Sequence, residues 1–279
     1  MNYKRGIDVS YAQGTIDWDK LAASGKVDFA MIRAGYGQNN IDAQWKANAD
    51  ACTRLGIPFG VYWFSYARSE EYARKEARYC IEAVKPYSLS YPIAFDFEYD
   101  SVDYLEAQGV NVSQAFASAV ARAFLEEIES AGYYPMLYTN RDYLNRYFDL
   151  SLISKYDIWL AQWPVSTPNL DNPPLAVRNG IWQYANDGVV SGITENVVDL
   201  DACYTDYPSI ISDMEVNKVK YHTREDIKKD APYGLETFDK LVKNEVLKGV
   251  APNDYSISDD MLRVLVILDR AGAFDSLSK

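Results

Sequence analysis

The first two hundred residues alternate between short apolar segments and longer amphipathic ones. Eight of the apolar segments are rich in aromatic and β-branched residues, which is typical of buried strands. Helices between successive strands favour a parallel sheet, and eight such units favour a closed barrel. The predicted strands are Arg5–Ser10, Phe29–Arg33, Ile57–Phe64, Pro92–Phe97, Tyr134–Thr139, Ile158–Trp163, Gly180–Ala185 and Asn196–Leu200.

Helical periodicity occupies the first five intervals between these strands, and the last intervals contain little helix. The predicted helices are Ile16–Ser24, Asp42–Leu55, Glu70–Val84, Val112–Ala131 and Arg141–Phe148. We therefore predict an α/β fold, a TIM-like barrel with eight strands and about five helices. A small all-α domain is predicted to follow it.

Histidine is absent from the first 217 residues, and His222 is the only one in the chain. This excludes Ser-His-Asp and Cys-His catalysis and histidine-ligated zinc from the barrel. The cysteines Cys52, Cys80 and Cys203 are far apart and form no CxxC pair, so neither a zinc ribbon nor a disulfide framework is indicated. Chemistry in the barrel must rest on carboxylates, Tyr, Lys, Arg or main chain.

Two acids interrupt the strand within Tyr91–Asp100, which reads YPIAFDFEYD. Asp96 and Glu98 are two residues apart, so on a strand they point to the same side with Cα atoms roughly 6–7 Å apart. Their mutual repulsion should raise the pKa of one of them, which suits a general acid beside a stabilising carboxylate. Two other readings are solvated or arginine-paired acids, and a divalent-cation site that includes Asp100.

Active sites of such barrels lie at the carboxyl ends of the strands, and Asp8 and Asp199 also occupy strands of the predicted barrel. These two acids could therefore converge with Asp96 and Glu98 on one mouth. Further residues at predicted strand ends could bind substrate there, with core packing as the alternative: Tyr62, Tyr138, Trp159, Gln162, Trp182 and Tyr184. Arg33 could bind substrate or pair with one of the acids.

Four segments between Lys4 and Tyr207 together resemble glycoside hydrolase family 25. They are GIDVSYAQGTIDW, FAMIRAGYG, IAFDFE and IWQYA…VSGITENVVDLD. Members of this family are lysozymes that cleave peptidoglycan between N-acetylmuramic acid and N-acetylglucosamine. The resemblance implies that Asp8, Asp96, Glu98 and Asp199 line the active site.

The resemblance also implies a role for each acid. Glu98 would donate a proton to the leaving oxygen, and Asp96 would orient and stabilise the N-acetyl group of the substrate or act more directly. Asp8 and Asp199 would tune charge and hold the sugar. The family usually has Asn two residues after the late Asp, where this chain has Asp201.

We predict neither a metal nor another cofactor. The alternatives in function are an N-acetylglucosaminidase on the same polymer and a catalytically silent module that binds wall sugars. A phosphoryl-transfer enzyme is disfavoured because the chain has no GKS or GKT loop.

The expected partner is the peptidoglycan of Gram-positive walls. A net charge of −12 argues against a nucleic-acid partner held by phosphate contacts. No apolar run is long enough to span a bilayer, and the first residues lack the apolar core of a signal peptide. We therefore predict no membrane insertion, and a phage or prophage endolysin that accumulates in the cytoplasm and acts on the wall after release.

Composition changes near residue 217. The first 217 residues carry 17 basic and 29 acidic side chains, whereas residues 218–279 carry 11 of each. We predict a catalytic barrel over 1–212, a linker over 213–221 and a helical domain over 222–279 that binds the wall or self-associates. Its predicted helices are Thr223–Lys229, Leu235–Leu247 and Asp259–Ala271, the last with an apolar stripe of Met261, Leu262, Leu265, Val266 and Leu268.

Overall fold

The computed structural model describes residues 3–174, 179–216, 219–250 and 252–278. The chain divides into two compact units, Met1–Ile211 and Ser212–Lys279. In the described ranges, no helix has both the length and the apolar character needed to span a membrane.

Eight strands of the first unit close into a barrel, as the sequence predicts. The order around the barrel is β1, β2, β4, β5, β6, β7, β8 and β9, and β9 pairs with β1 to close it. A ninth strand, β3, forms a short hairpin with β2 that the sequence analysis did not predict. The strands are β1 Lys4–Val9, β2 Phe29–Tyr36, β3 Asn40–Ile41, β4 Phe59–Phe64, β5 Ile93–Asp96, β6 Pro135–Asn140, β7 Asp157–Ala161, β8 Asn179–Gly188 and β9 Val198–Cys203.

Strand β9 runs antiparallel to both of its neighbours, whereas the other barrel strands are parallel to one another. The parallel arrangement predicted for the whole barrel therefore fails at this strand. The reason is the connection between β8 and β9, which is too short for the crossover that a parallel pair requires. Because of this reversal, the first residues of β9 lie at the carboxyl ends of the parallel strands, and Asp199 pairs with Asp8.

The five predicted helices are all present; Glu70–Val84 has the predicted bounds, and the other four have shifted ends. Three further helices, Tyr99–Ala107, Leu150–Lys155 and Tyr207–Val216, were not predicted. The helices are α1 Trp18–Ala23, α2 Trp45–Leu55, α3 Glu70–Val84, α4 Tyr99–Ala107, α5 Gln114–Ser130, α6 Arg141–Tyr147, α7 Leu150–Lys155 and α8 Tyr207–Val216.

Two apolar clusters stabilise the barrel. The larger one includes outward-facing strand residues such as Ile7 and Phe95 and helix residues such as Phe124. The smaller cluster includes Phe29 and Tyr91, whose rings stack with centroids 4.3 Å apart. At Gly6 a Cβ atom would lie 2.2 Å from the Phe29 ring, so glycine is required for this packing.

The second unit has its own apolar core, formed by Tyr221, Ile227, Ala231, Phe238, Ile257 and Leu262. It is mainly helical, but it also contains a two-stranded antiparallel sheet, so the prediction of an all-α domain missed one feature. Its elements are β10 Val219–Tyr221, α9 Arg224–Asp230, α10 Leu235–Lys243, β11 Ile257–Ser258 and α11 Asp259–Arg270.

The predicted linker 213–221 contains the end of α8 and the whole of β10; positions 217 and 218 lie outside the described residues. The predicted apolar stripe of α11 is split between two environments. Leu262 and Val266 are buried in the unit, whereas Met261 and Leu268 are exposed. Ser258 caps this helix by accepting a hydrogen bond from Met261 N at 3.1 Å, as its position before the helix predicts.

Candidate active site

Four aspartates line the upper interior of the barrel. Asp8 lies on β1, Asp96 ends β5, and Asp199 and Asp201 lie two residues apart on β9. Alternation along a strand directs residues two apart to the same side. The structure therefore brings together three of the predicted acids, and it adds Asp201 to them.

Glu98 follows Asp96 but is not part of β5, because the strand ends at Asp96 and Glu98 caps the start of α4. The backbone of Glu98 remains extended, with φ −133° and ψ −167°. Its N–H donates to Ser101 Oγ at 3.2 Å. The carboxyl groups of Asp96 and Glu98 lie within hydrogen-bonding reach of each other. They therefore point to the same side, as predicted, although the strand ends before Glu98.

Asp96 and Glu98 share an environment that opposes two negative charges. Burial raises the pKa of Asp96, the charge of Glu98 raises it further, and the charge of Arg33 opposes this rise. Burial raises the pKa of Glu98 to about 7, and the charges of Asp199 and Asp100 act in the same direction. The two carboxyl groups therefore titrate together, and the pair keeps one proton over a pH range in which two separate carboxyl groups would both be ionised.

Asp8 is held by Gln183, a residue that the sequence analysis missed. Gln183 Nε2 donates to Asp8 Oδ2 at 2.8 Å. The amide oxygen of Gln183 accepts from the Tyr138 hydroxyl at 3.2 Å and from Trp163 Nε1 at 3.1 Å. The available signal was a lone polar residue in the apolar segment GIWQYA.

Arg33 pairs with Asp42, an acid outside the predicted set, through Nε and Oδ2 at 2.7 Å. Its guanidinium lies over the rings of Tyr11 and Tyr36, at 4.8 and 5.5 Å from their centroids. A cavity of about 410 Å³ adjoins these residues and is also lined by Tyr66. Arg33 thus forms an ion pair, but with Asp42 and not with one of the four predicted acids, and it also lines this cavity.

Three predicted aromatic residues lie among the acids. The ring of Trp159 contacts those of Tyr62 and Tyr138 at centroid distances of 5.8 and 4.6 Å. The charges of Asp8, Asp96 and Asp199 raise the pKa of both Tyr62 and Tyr138, although burial is the main cause. Trp159 is only 1% exposed and donates to Asp201 Oδ1 at 2.8 Å, so it supports the site from below and has no surface for substrate.

Of the other three predicted binding residues, Gln162 and Trp182 form hydrogen bonds away from the acids, whereas burial and the nearby charge of Asp201 raise the pKa of Tyr184. Trp182 neighbours Gln183 on β8, so alternation turns it to the outer face, where its indole N–H donates to the Gln162 carbonyl at 2.7 Å. The Tyr184 ring lies 6.0 Å from that of Trp182. The side chain of Gln162 accepts a hydrogen bond from Arg141 and stabilises the loop after β7.

A second cavity, of about 790 Å³, extends along the carboxyl ends of β2 and β4 and the start of α4. Tyr66 lines both cavities and packs on Tyr104 with centroids 4.9 Å apart. The buried Glu76 carboxylate fixes the loop that carries Tyr66, since it accepts from Ser65 Oγ at 2.6 Å and from Tyr66 N at 3.2 Å. This groove was not predicted, because its lining residues come from β2, β3, α3, α4 and the loops between them, which only the folded chain brings together.

The residues present give no support to a metal site. Within the described ranges, no group of three or more His, Cys, Asp or Glu side chains has an arrangement that could hold a metal ion. Asp100, which the cation reading requires, is exposed. The three cysteines are free and buried.

The model of "Glycosyl hydrolases family 25" matches residues 7–193, which is more than half of the chain.

The chain belongs to glycosyl hydrolases family 25.

One protein with a similar sequence is an autolytic lysozyme from Clostridium acetobutylicum. It is 28% identical over 199 residues, which are 71% of this chain and 55% of the relative. The modular autolysin LytC from Streptococcus pneumoniae has 28% identity and a TM-score of 0.62 over 72% of this chain and 47% of its own. Its structure has also been solved in complex with a synthetic peptidoglycan ligand. This chain therefore spans about half the length of these relatives.

The catalytic domain of endolysin ply40, from bacteriophage P40 of Listeria monocytogenes, has the same fold. Its TM-score is 0.60 at 20% identity, and the match covers 75% of this chain and 97% of that domain.

Proposed function

We propose that this family 25 protein is a peptidoglycan muramidase, which hydrolyses the β-1,4 bond between N-acetylmuramic acid and N-acetylglucosamine. The observation that carries the proposal is the pair of Asp96 and Glu98 at the barrel mouth, a buried and a half-buried carboxyl group within hydrogen-bonding reach of each other. The autolytic lysozyme and the peptidoglycan complex of LytC support the choice of substrate.

In the proposed mechanism, the proton of Glu98 passes to the glycosidic oxygen as the bond from that oxygen to C1 breaks. The acetamido oxygen of the substrate attacks C1 and forms a bicyclic intermediate, and Asp96 accepts a hydrogen bond from the acetamido N–H. Water then opens the intermediate and returns a proton to Glu98. This route suits two carboxyls on one extended segment, because a protein nucleophile and a general acid must flank the scissile bond.

The greater exposure of Glu98 supports its role as the proton donor, because it is the member of the pair that a substrate can reach more easily. The charge of Arg33 opposes the rise in the pKa of Asp96, although burial and the charge of Glu98 outweigh it. Asp8 and Asp199, on the opposite strands, would contribute negative charge that stabilises a cationic transition state.

The identity of the new reducing ends tests this function. Purified Gram-positive walls are incubated with the full chain, and the released ends are reduced, hydrolysed and identified. We expect reduced N-acetylmuramic acid. Reduced N-acetylglucosamine would instead assign the protein as a glucosaminidase, and the absence of new ends with wall binding intact would leave only a sugar-binding module.

The cellular role that we propose is that of a phage or prophage endolysin, which reaches the wall after release from the cytoplasm. The likeness of the barrel to the ply40 domain supports this role at the level of fold.

We further propose that the second unit targets the wall. Its own apolar core and its balanced charge support this role, because anionic wall polymers would repel the barrel, which carries the whole net charge of −12. Two linked weak sites bind more tightly through effective concentration. A neutral unit adds such a contact without the repulsion.

Truncation after Asn217 tests this role, since it removes the second unit's core but leaves α8 complete. We expect retention on walls to fall by roughly 10²-fold, because one of the two linked sites is lost. Hydrodynamic state and activity on soluble fragments should not change. A change from an oligomer in the full chain to a monomer in the shortened chain would show that the unit mediates self-association, and unchanged retention and oligomeric state would contradict both roles.

A further inference from the structure

Asp201 is a buried carboxyl group in the barrel interior that has too few hydrogen-bond donors for a negative charge. Oδ1 accepts from Trp159 Nε1 at 2.8 Å. Oδ2 is fully buried, and within the described part of the chain it has no hydrogen-bond partner. An ionised carboxylate in such a place is costly unless several donors or a cation neutralise it.

The groups around Asp201 do not supply that neutralisation. Strand β1 presents Asp8, β7 presents the indole of Trp159, and β8 presents the amide of Gln183 and the phenol of Tyr184. On β9 itself, Asp199 and the thiol of Cys203 lie nearby. The charge of Asp199 and burial both raise the pKa of Asp201, and the carboxyl of Asp8 lies within hydrogen-bonding reach.

Gln183 fixes the direction of one hydrogen bond in this cluster. Its amide oxygen already accepts from the Tyr138 hydroxyl and from Trp163 Nε1. Its amide nitrogen therefore faces Asp8 and donates to Oδ2. Besides this amide donor, Asp8 lies within hydrogen-bonding reach of two carboxyl groups, those of Asp199 and Asp201, and two carboxyl groups attract each other only when one of them carries a proton. Asp199 is half-buried, whereas Asp201 is fully buried and therefore has the greater need of the proton.

We propose that Asp201 and Asp8 share a single proton in a carboxyl–carboxylate hydrogen bond, and that Asp201 is thereby a positioning residue that fixes the Asp8 carboxylate at the mouth. The two side chains together then carry one negative charge. The positioning role rests on the proposed function of Asp8, whereas the shared proton does not.

Asp201→Asn is the decisive variant because its amide can replace the shared proton with an N–H donor and keep the shape of the side chain. We expect its turnover on walls to stay within about threefold of the parent protein. Asp201→Ala leaves both Asp8 and the Trp159 N–H without this partner, and its turnover should fall at least tenfold. Equal losses in the two variants would overturn the positioning role.

Infrared difference spectra test the proton without any substrate. The parent protein at pH 8 should show a protonated carboxyl band, sensitive to exchange into D₂O, that is absent from Asp201→Asn. A parent-minus-variant spectrum without that band would overturn the proposal. This readout also separates it from the muramidase function, because a protein with no activity on walls would still show the band.

Thermal unfolding across pH provides a second measurement. Because burial raises the pKa of Asp201 above its unfolded value, the parent loses stability as pH rises from about 4 through the folded-state pKa. Asp201→Asn lacks this loss, so its Tm relative to the parent should increase between pH 4 and pH 8. A Tm difference that stays constant with pH would contradict the shared proton.

Discussion

Replacing Glu98 with Gln is expected to reduce hydrolysis of walls by roughly 10²–10⁴-fold, the range that general acid catalysis contributes. Glutamine keeps the size of the side chain and its place before α4, but it cannot release a proton to the leaving oxygen. Binding of the variant to walls should therefore equal that of the parent. The measurement is the rate of reducing-end formation together with pull-down on the same walls.

The pH dependence of the hydrolysis rate of the parent protein is a second test of Glu98. Since the pKa of Glu98 is raised to about 7, its carboxyl remains protonated in a range where an ordinary glutamic acid is ionised. The rate should fall as pH rises through about 7, because the proton donor is then lost. In the Gln variant, any residual rate should not show this fall.

Glu106→Gln is a matched control, because Glu106 is an exposed glutamate on the same helix α4. It should keep the parent rate and the parent pH profile. A Glu98→Gln rate above about a tenth of the parent rate would rule out Glu98 as the proton donor, and the search would then move to Asp96.

Asp96→Asn should lower turnover by about 10²–10³-fold, as expected for the loss of one preorganised electrostatic group. The amide keeps the volume of the carboxyl but cannot carry the negative charge that stabilises the acetamido group during attack. The effect should therefore fall on kcat more than on KM. Single-turnover rates and KM on a soluble chitin or peptidoglycan oligomer give this split.

A thiazoline analogue of the bicyclic intermediate distinguishes the two roles predicted for Asp96. If Asp96 stabilises the acetamido group, the parent should bind the analogue much more tightly than Asp96→Asn does. If Asp96 is instead the nucleophile, azide should restore activity to the variant and yield a glycosyl azide. Asp103→Asn, at an exposed position of α4, is the control for loss of a negative charge near the site.

Much of the barrel could be predicted because its strands are short apolar segments with helices between them. Such segments contain Asp8, Asp96 and Asp199, and a charged side chain is costly to bury in a strand unless it is paired or functional. Alternation then predicts that acids two residues apart share a side, which holds for Asp96 and Glu98 even though the strand ends between them.

The side of each strand that faces the interior was harder to predict. On β8, Trp182 and Tyr184 looked like mouth residues, but the interior position belongs to Gln183 between them. The choice depends on register with β9, which is antiparallel and contains two irregularities in its pairing with β8. The pattern of residues within GIWQYA does not determine that register.

The partners of individual side chains were also beyond prediction. Arg33 pairs with Asp42 across the β2–β3 turn, and Asp201 accepts a hydrogen bond from Trp159 on a different strand. The sequence offers each charged group many equivalent partners; the local hairpin selects the first pair, and the closed barrel selects the second.

The pairing of β1 with β9 also determines when the site can exist during synthesis. The Asp8–Gln183 hydrogen bond joins residues 175 positions apart, and β1 remains an open edge on one side until Val198–Cys203 has been made. At about 5–20 residues per second, that interval takes roughly 10–40 s, during which only local contacts and the growing sheet can form. A nascent chain therefore already contains Asp8, Asp96 and Glu98 before the strand that completes the site has been made, and activity should appear abruptly with the last strand.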